Sequence, residues 1–270
     1  MSAEYAPRGF VGILAPQANT TVEPECNILF PAGVGVLNAR LASTKPGMED
    51  RLVDYLDTLD QTLAQFGGAP LKAAGVACTG ASYLAGAARE DELFRGLSDR
   101  LGYEVTSSAL TVVDALNALG AHDIALVSPY PDSLTRKSVG YWESRSFSVQ
   151  AVAPVTPVEP AAAGSAHPIY SLGSAAASRA LASLRGRSFD AIVVLGTGMP
   201  SLKPILETPR VGQAPVISCT LALAWRCMRA VDGAKCSADS LLDWVAGSDW
   251  RARFEARASA PSGPDAQPRL

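Results

Sequence analysis

Cys78 ends the apolar run Ala74 to Cys78 and stands directly before Thr79 and Gly80. A cysteine at a strand end can meet main-chain N–H groups, a setting that lowers a thiol's pKa and favours the thiolate nucleophile. The plain alternative for any buried cysteine is a small core hydrophobe. Asn19, followed by Thr20 and Thr21, offers an amide and two hydroxyls that bind a carboxylate without bringing a competing charge. Ahead of Glu23, the same residues also suit the start of a helix. The pairs Thr79-Gly80 and Thr197-Gly198 read as two opposed anion cradles, in which glycine lets the main chain approach and the following N–H groups point inward, or more simply as turns. Tyr130, in the loop Pro129-Tyr130-Pro131, carries a phenol that can donate a hydrogen bond, or is simply a loop aromatic.

Short β-branched runs alternate with helical stretches, the signature of parallel strands joined by crossover helices. The strands are expected at Phe10 to Ala15, Gly35 to Ala42, Ala74 to Cys78, Glu104 to Ser107, Ile124 to Ser128, Ser148 to Val152, Ala191 to Leu195 and Pro215 to Ser218. Helices are expected at Met48 to Gln65, Glu90 to Leu101, Ala109 to Leu119, Ser133 to Glu143, Ile169 to Leu184, Leu221 to Val231 and Ala238 to Ala246. In the first helix Leu52, Leu56, Leu59 and Leu63 form one apolar stripe.

The chain also echoes itself. Gly12 to Asn19 resembles Ala125 to Asp132, each a strand running into a proline-containing loop, and about sixty residues after each comes a strand ending in a Thr-Gly pair. Two equivalent α/β halves, 9–110 with Asn19 and Cys78 and 111–256 with Tyr130 and the Gly196-Thr197-Gly198 loop, would bring four loops to a cleft at strand carboxyl ends, where open α/β sheets hold ligands. Residues 257–270, rich in Pro and poor in apolar side chains, are expected to be a disordered tail.

Composition narrows the classes. Hydrophobic residues at 48% and charged residues at 18% describe a globular chain, and a net charge of −3 without a basic stripe speaks against nucleic acid. The beginning of the chain lacks signal-peptide character and no apolar run reaches spanning length, so a cytoplasmic protein without membrane partners is expected. Five cysteines without CxxC spacing and two histidines argue against a disulfide framework and a zinc site, and no GxGxxG loop suggests nicotinamide; no cofactor is expected.

Pro16-Gln17-Ala18-Asn19-Thr20-Thr21-Val22-Glu23 resembles the P-x-x-N-T-T-x-E segment of bacterial maleate cis-trans isomerases. Ala77-Cys78-Thr79-Gly80-Ala81-Ser82 is similar to the loop carrying their nucleophilic cysteine, and Met199-Pro200-Ser201-Leu202 to the stretch after their second one. Arylmalonate decarboxylases share the layout more loosely. The chain therefore resembles the aspartate/glutamate racemase superfamily from about Phe10 to Val231. The resemblance implies two Rossmann-like halves with parallel sheets related by a pseudo-twofold axis, and cofactor-independent chemistry on a small carboxylic acid in the cleft. It also implies that Cys78 is the catalytic cysteine, with Asn19, Thr20, Thr79, Gly80, Tyr130, Gly196, Thr197 and Gly198 around the substrate, and it points to a homo-oligomer.

Gly196 departs from the isomerase pattern, standing where a second thiol is expected. A two-base racemase needs acid and base on opposite faces, so one-thiol chemistry remains: maleate-type isomerisation through a Cys78 adduct and an enediolate-like intermediate, or decarboxylation of a substituted malonate with Cys78 as proton donor. Decarboxylases of the family keep one cysteine in the second half, so this chain resembles their mirror arrangement. A non-catalytic carboxylate-binding protein is the reading from outside enzymology. His167 and Cys219 are secondary candidates, the first as a polar group near the substrate and the second as a cleft-lining or merely packed thiol.

Overall fold

The computed structural model describes residues 3–157 and 168–259. The first part of the chain runs β1 (Gly9–Pro16), α1 (Val22–Leu29), β2 (Val34–Leu41), α2 (Met48–Asp57), α3 (Leu59–Leu63), β3 (Leu71–Val76), α4 (Thr79–Ala85), α5 (Ala87–Leu101) and β4 (Glu104–Ser107). The second runs α6 (Ser108–Leu119), β5 (Asp123–Ser128), α7 (Asp132–Ser144), β6 (Ser148–Pro154), α8 (Ser174–Ala182), β7 (Ala191–Val194), α9 (Leu202–Glu207), β8 (Arg210–Val211) and β9 (Ala214–Ser218). Helices α10 (Cys219–Asp232), α11 (Ala238–Val245) and α12 (Arg251–Ala258) follow, and one-turn 3₁₀ segments occupy Ala64–Phe66 and Pro168–Ser171.

The strands form two sheets ordered β2-β1-β3-β4 and β6-β5-β7-β9-β8. All pairs are parallel except the short β8–β9 edge. The second sheet thus repeats the strand order of the first, which is the architecture the internal echo implies. Every expected strand is present within a few residues, because runs such as Val11–Ala15, Ala73–Val76 and Ile192–Val194 are buried on both faces, as parallel strands under helices must be.

The helices differ more. The expected Met48 to Gln65 helix breaks at Thr58 into α2, α3 and a 3₁₀ turn, and Ile169 to Leu184 breaks before Gly173. The Thr79-Gly80 pair is not a turn: Cys78, with an extended φ of −143°, precedes helix α4, and Ala81, Ser82, Tyr83 and Leu84 continue it. Helix α1 starts directly after Asn19-Thr20-Thr21, where the sequence suits a helix start, and carries Pro24 in its first turn, where proline is tolerated.

One apolar core runs continuously through both sheets, from Val11 and Ile13 to Ile192 and Val216, and a second cluster around Leu14, Leu56 and Leu63 fills the other face of the first sheet. Helix α10 returns to pack on β3, β1, α1 and α6. Its approach depends on Gly75, where an added Cβ would lie 2.9 Å from Leu223 and 3.3 Å from the Cys227 sulfur. A buried ionic cluster joins the halves: Glu90 of α5 accepts from Ser107, from the Tyr141 phenol and, at 2.8 Å, from Arg145. Among the described residues no helix is long and apolar enough to cross a membrane.

Candidate active site

Four strands end at one place. The segments after β1, β3, β5 and β7 contribute Pro16 and Asn19, Cys78 to Gly80, Pro129 to Pro131, and Thr197 and Gly198 to a common cavity of about 90 Å³. These are the four loops the echo singles out. One face of α2 supplies Met48, Arg51, Leu52 and Tyr55, while Leu134, Ile169 and Tyr170 complete the wall.

The loops are stitched across the halves. Asn19 Oδ1 accepts from the N–H groups of Thr21 (2.8 Å) and Val22 (3.0 Å), so the helix-start role is realised. Its Nδ2 donates to Thr197 O at 3.2 Å, so the same side chain also reaches the second half. Thr21 Oγ1 donates to Gly198 O (2.9 Å), and Thr197 Oγ1 donates to Ala77 O (2.7 Å) beside Cys78. Arg40 anchors the first loop from beneath, donating to Asn19 O at 2.7 Å and to the Glu23 carboxylate at 2.5 Å. Glu25 crosses to the second half, where its carboxylate accepts from the N–H groups of Ser201 (2.6 Å) and Leu202 (3.1 Å) at the start of α9.

Cys78 is 5% exposed, and burial pushes its thiol up to about 12, against the opposing hydrogen bond from the Ala81 N–H. This reverses the expectation of a lowered pKa. A single N–H at the start of α4 does not match the cost of ionising a sulfur inside an apolar wall. Burial therefore favours the protonated thiol at Cys78. Tyr130 is likewise held as a neutral phenol, raised well above 10 by burial, and its ring packs edge-on against Tyr83 at 6.1 Å.

Several assignments change. Thr20 is exposed and lies in an outer groove with Pro24 and Lys203, because the hydrogen bonds of Asn19 and Thr21 turn it away from the cavity. Gly196 does not line the cavity. Its φ is +80°, and a Cβ built there would sit 2.9 Å from Ile169 Cδ1 and 3.2 Å from Tyr130 Oη, so this space is already filled. Gly80 is helical and packed beneath Leu52, with 3.1 Å from an added Cβ to Leu52 Cδ1, so it meets the cavity as a close-packed position rather than a turn. Cys219 is fully buried at the start of α10, behind Thr79 and Gly196. His167 lies outside the described residues.

Sequence reasoning missed Arg51, Tyr55 and Tyr170. The signal for α2 was present, since 48, 51, 52 and 55 share one helical face, but the leucine stripe drew the reading toward the core. Among the described residues no group of three or more His, Cys, Asp or Glu side chains converges as a metal would require.

Two sheets of one strand order, meeting at a cleft that holds a buried cysteine, define the class: α/β proteins of the Asp/Glu racemase superfamily. The chain belongs to the arylmalonate decarboxylase family, whose model matches residues 11–241. It is 29% identical over 238 residues to the maleate isomerase of Nocardia farcinica, covering 82% of this chain and 90% of the relative. A solved Nocardia farcinica maleate cis-trans isomerase, a cysteine-to-serine variant with a covalently bound succinylcysteine intermediate, superimposes with a TM-score of 0.69 at 24% identity, over 87% of this chain and 98% of that one. A liganded arylmalonate decarboxylase variant with one glycine changed to cysteine and one cysteine changed to serine gives a TM-score of 0.68 at 18% identity, over 84% of this chain and 94% of that one. These relationships place the chain among isomerases and carboxy-lyases.

Proposed function

We propose that the chain is a carboxy-lyase for substituted malonates, with Cys78 as the proton donor. The observation that carries this reading is the placement of Cys78: a buried thiol in an apolar-walled cavity at the meeting point of the loops, with the position of a second thiol taken by Gly196 beneath Tyr130 and Ile169. A neutral thiol is a ready acid but a poor nucleophile. The described residues around the cavity include no Asp, Glu or His to take its proton before an attack.

The chemistry follows. One carboxylate of the malonate is held by polar groups, with the Tyr130 phenol and the Thr79 hydroxyl as donors and Asn19 and Thr197 fixing the loops around it. The other carboxylate lies against Met48, Leu52, Leu134 and Ile169, where an anion is poorly solvated and its loss as neutral carbon dioxide is favoured. The C–C bond breaks, its electron pair passes into the remaining carboxylate as an enediolate, and hydrogen-bond donors stabilise that charge. The Cys78 S–H then delivers its proton to the α-carbon, and the thiolate regains one from water. Incubation of the protein with methyl(phenyl)malonate, followed by release of carbon dioxide and formation of 2-phenylpropionate, tests this reading; no product would defeat it.

A second reading has its own support. The relative at 29% identity is a maleate isomerase, and Cys78 falls where the isomerase resemblance puts the nucleophile. On that route the thiol must lose its proton, add to the double bond, allow rotation about the resulting single bond, and leave. Fumarate formed from maleate, and lost in Cys78→Ala, would favour it. A protein inert toward both acids but binding them is the expectation of a carboxylate-binding protein.

A further inference from the structure

We infer that Tyr170 limits the size of the substituent the site accepts, as the wall between the cavity and an apolar groove beyond it that would house a longer one. The inference rests on the carboxy-lyase reading, in which the substrate is a malonate whose substituent must be accommodated. The groove, of about 410 Å³, lies on the outer side of the loop after β1, lined by Thr20, Pro24 and Ile28 from the first half and by Leu172, Leu202 and Phe254 from the second. Among the described residues, Tyr170 alone lines both the groove and the catalytic cavity. The rest of the partition is thin as well, since Asn19 faces the cavity and Thr20 the groove, and Gly198 faces the cavity and Pro200 the groove.

The ring is seated by the fold. Tyr170 belongs to the 3₁₀ turn Pro168–Ser171, which lies against the loop after β7. A Cβ added at Gly198 would come within 2.6 Å of Tyr170 Cε1 and 2.8 Å of Cδ1, so the ring fills the space over that glycine. Ile169 lies 3.3 Å from the same added atom and 2.9 Å from one at Gly196. The two glycines let the turn close down on the cavity, and Tyr170 is what a lengthening substituent meets. Past the ring, Pro24, Ile28, Leu172 and Phe254 offer walls suited to hydrocarbon. The charged groups along the groove are engaged with protein partners, Glu25 by the N–H groups of Ser201 and Leu202 and Lys203 by Glu207 at 3.8 Å. The ligand that fits both spaces is a malonate with a long apolar substituent, its carboxylates in the cavity and the far end of the substituent in the groove.

The test measures binding in Cys78→Ala, where no turnover interferes. Calorimetric titration with methyl(phenyl)malonate and with the longer methyl(para-biphenyl)malonate gives a ratio of dissociation constants. With Tyr170 in place the longer acid should bind at least about tenfold more weakly, and in Cys78→Ala/Tyr170→Ala the ratio should move at least about tenfold in its favour as the outer ring reaches the groove. Tyr170→Phe, which keeps the ring, should leave the ratio as it was. Thr20→Trp, which fills the groove from an exposed position, should cancel the gain in the Tyr170→Ala background. Tyr170→Leu gives the same comparison with a smaller shift if the alanine variant does not fold. Equal binding of the two acids with Tyr170 in place, an unmoved ratio in the truncated variants, or a gain that survives Thr20→Trp would overturn the inference. So would a Tyr170→Phe variant that shifts as far as Tyr170→Ala, or failure of both acids to bind. The expected ratios in a protein whose Cys78 form releases no carbon dioxide from methyl(phenyl)malonate would leave Tyr170 as the wall and remove the carboxy-lyase reading alone.

Discussion

Replacing Glu25 by glutamine should make the protein more stable at high pH. Glu25 is 5% exposed, and burial raises its carboxyl from the ordinary 4.5 to about 7 despite hydrogen bonds from Ser201, Leu202 and Thr220. A carboxyl that ionises less readily in the folded chain than in the unfolded chain costs nothing below pH 4.5, where both states are protonated. The cost grows as pH rises through the window between the two values and is complete above about 7. At about 1.4 kcal/mol per pH unit, that window is worth about 3 kcal/mol. Glutamine keeps an oxygen to accept from the Ser201 and Leu202 N–H groups and an amide to donate to Ser201 Oγ, but it never ionises. Urea unfolding of the two proteins side by side at pH 5 and pH 8 isolates the effect, since all other titrating groups are shared. The stability of Glu25→Gln relative to the parent should rise by about 2–3 kcal/mol between those pH values, part of the cost being already present at pH 5. Parallel stability curves for the two proteins across the window would refute the reasoning, showing that Glu25 is ionised inside the fold at no cost.

Other outcomes follow from the same structure. Cys78, raised to about 12, should react with iodoacetamide at pH 7 at least about a hundredfold more slowly than a free thiol, as followed by intact mass. Gly196→Cys should lose about 1–3 kcal/mol, because φ at 196 is +80° and the new Cβ would sit 2.9 Å from Ile169. The variant should gain no racemase activity, and a stable, racemising Gly196→Cys would contradict this packing. Gly75→Val should cost about 1–3 kcal/mol in chemical unfolding by forcing α10 away from β3, where Leu223 and Cys227 leave no room for a side chain.

The sequence made the large features legible for a physical reason. Parallel strands covered on both faces must be short and apolar, so all of the main strands showed themselves, and repeated strand-to-loop patterns identified the four segments that meet at the cavity. Cys78 stood out because it closes one of those strands. What stayed hidden depends on packing between segments distant in sequence. Which face of α2 turns toward the cleft is decided by α4 beneath it, so Arg51 and Tyr55 could not be assigned from periodicity alone. Thr20 sits between two residues whose hydrogen bonds reach inward and is itself turned out. The direction of the Cys78 shift also went unread, because a local motif shows the helix N–H groups but not the apolar walls that outweigh them.

The central claim is that Cys78 gives a proton to a carbanion formed by loss of carbon dioxide. Proton NMR in deuterated buffer, with methyl(phenyl)malonate as substrate, tests it most directly because that acid has no exchangeable α-hydrogen of its own. The account predicts 2-phenylpropionate carrying a single deuterium at the α-carbon, in one enantiomeric form, with the rate falling about a hundredfold to ten-thousandfold in Cys78→Ala. An unchanged rate in Cys78→Ala, or no decarboxylation alongside conversion of maleate to fumarate, would contradict it.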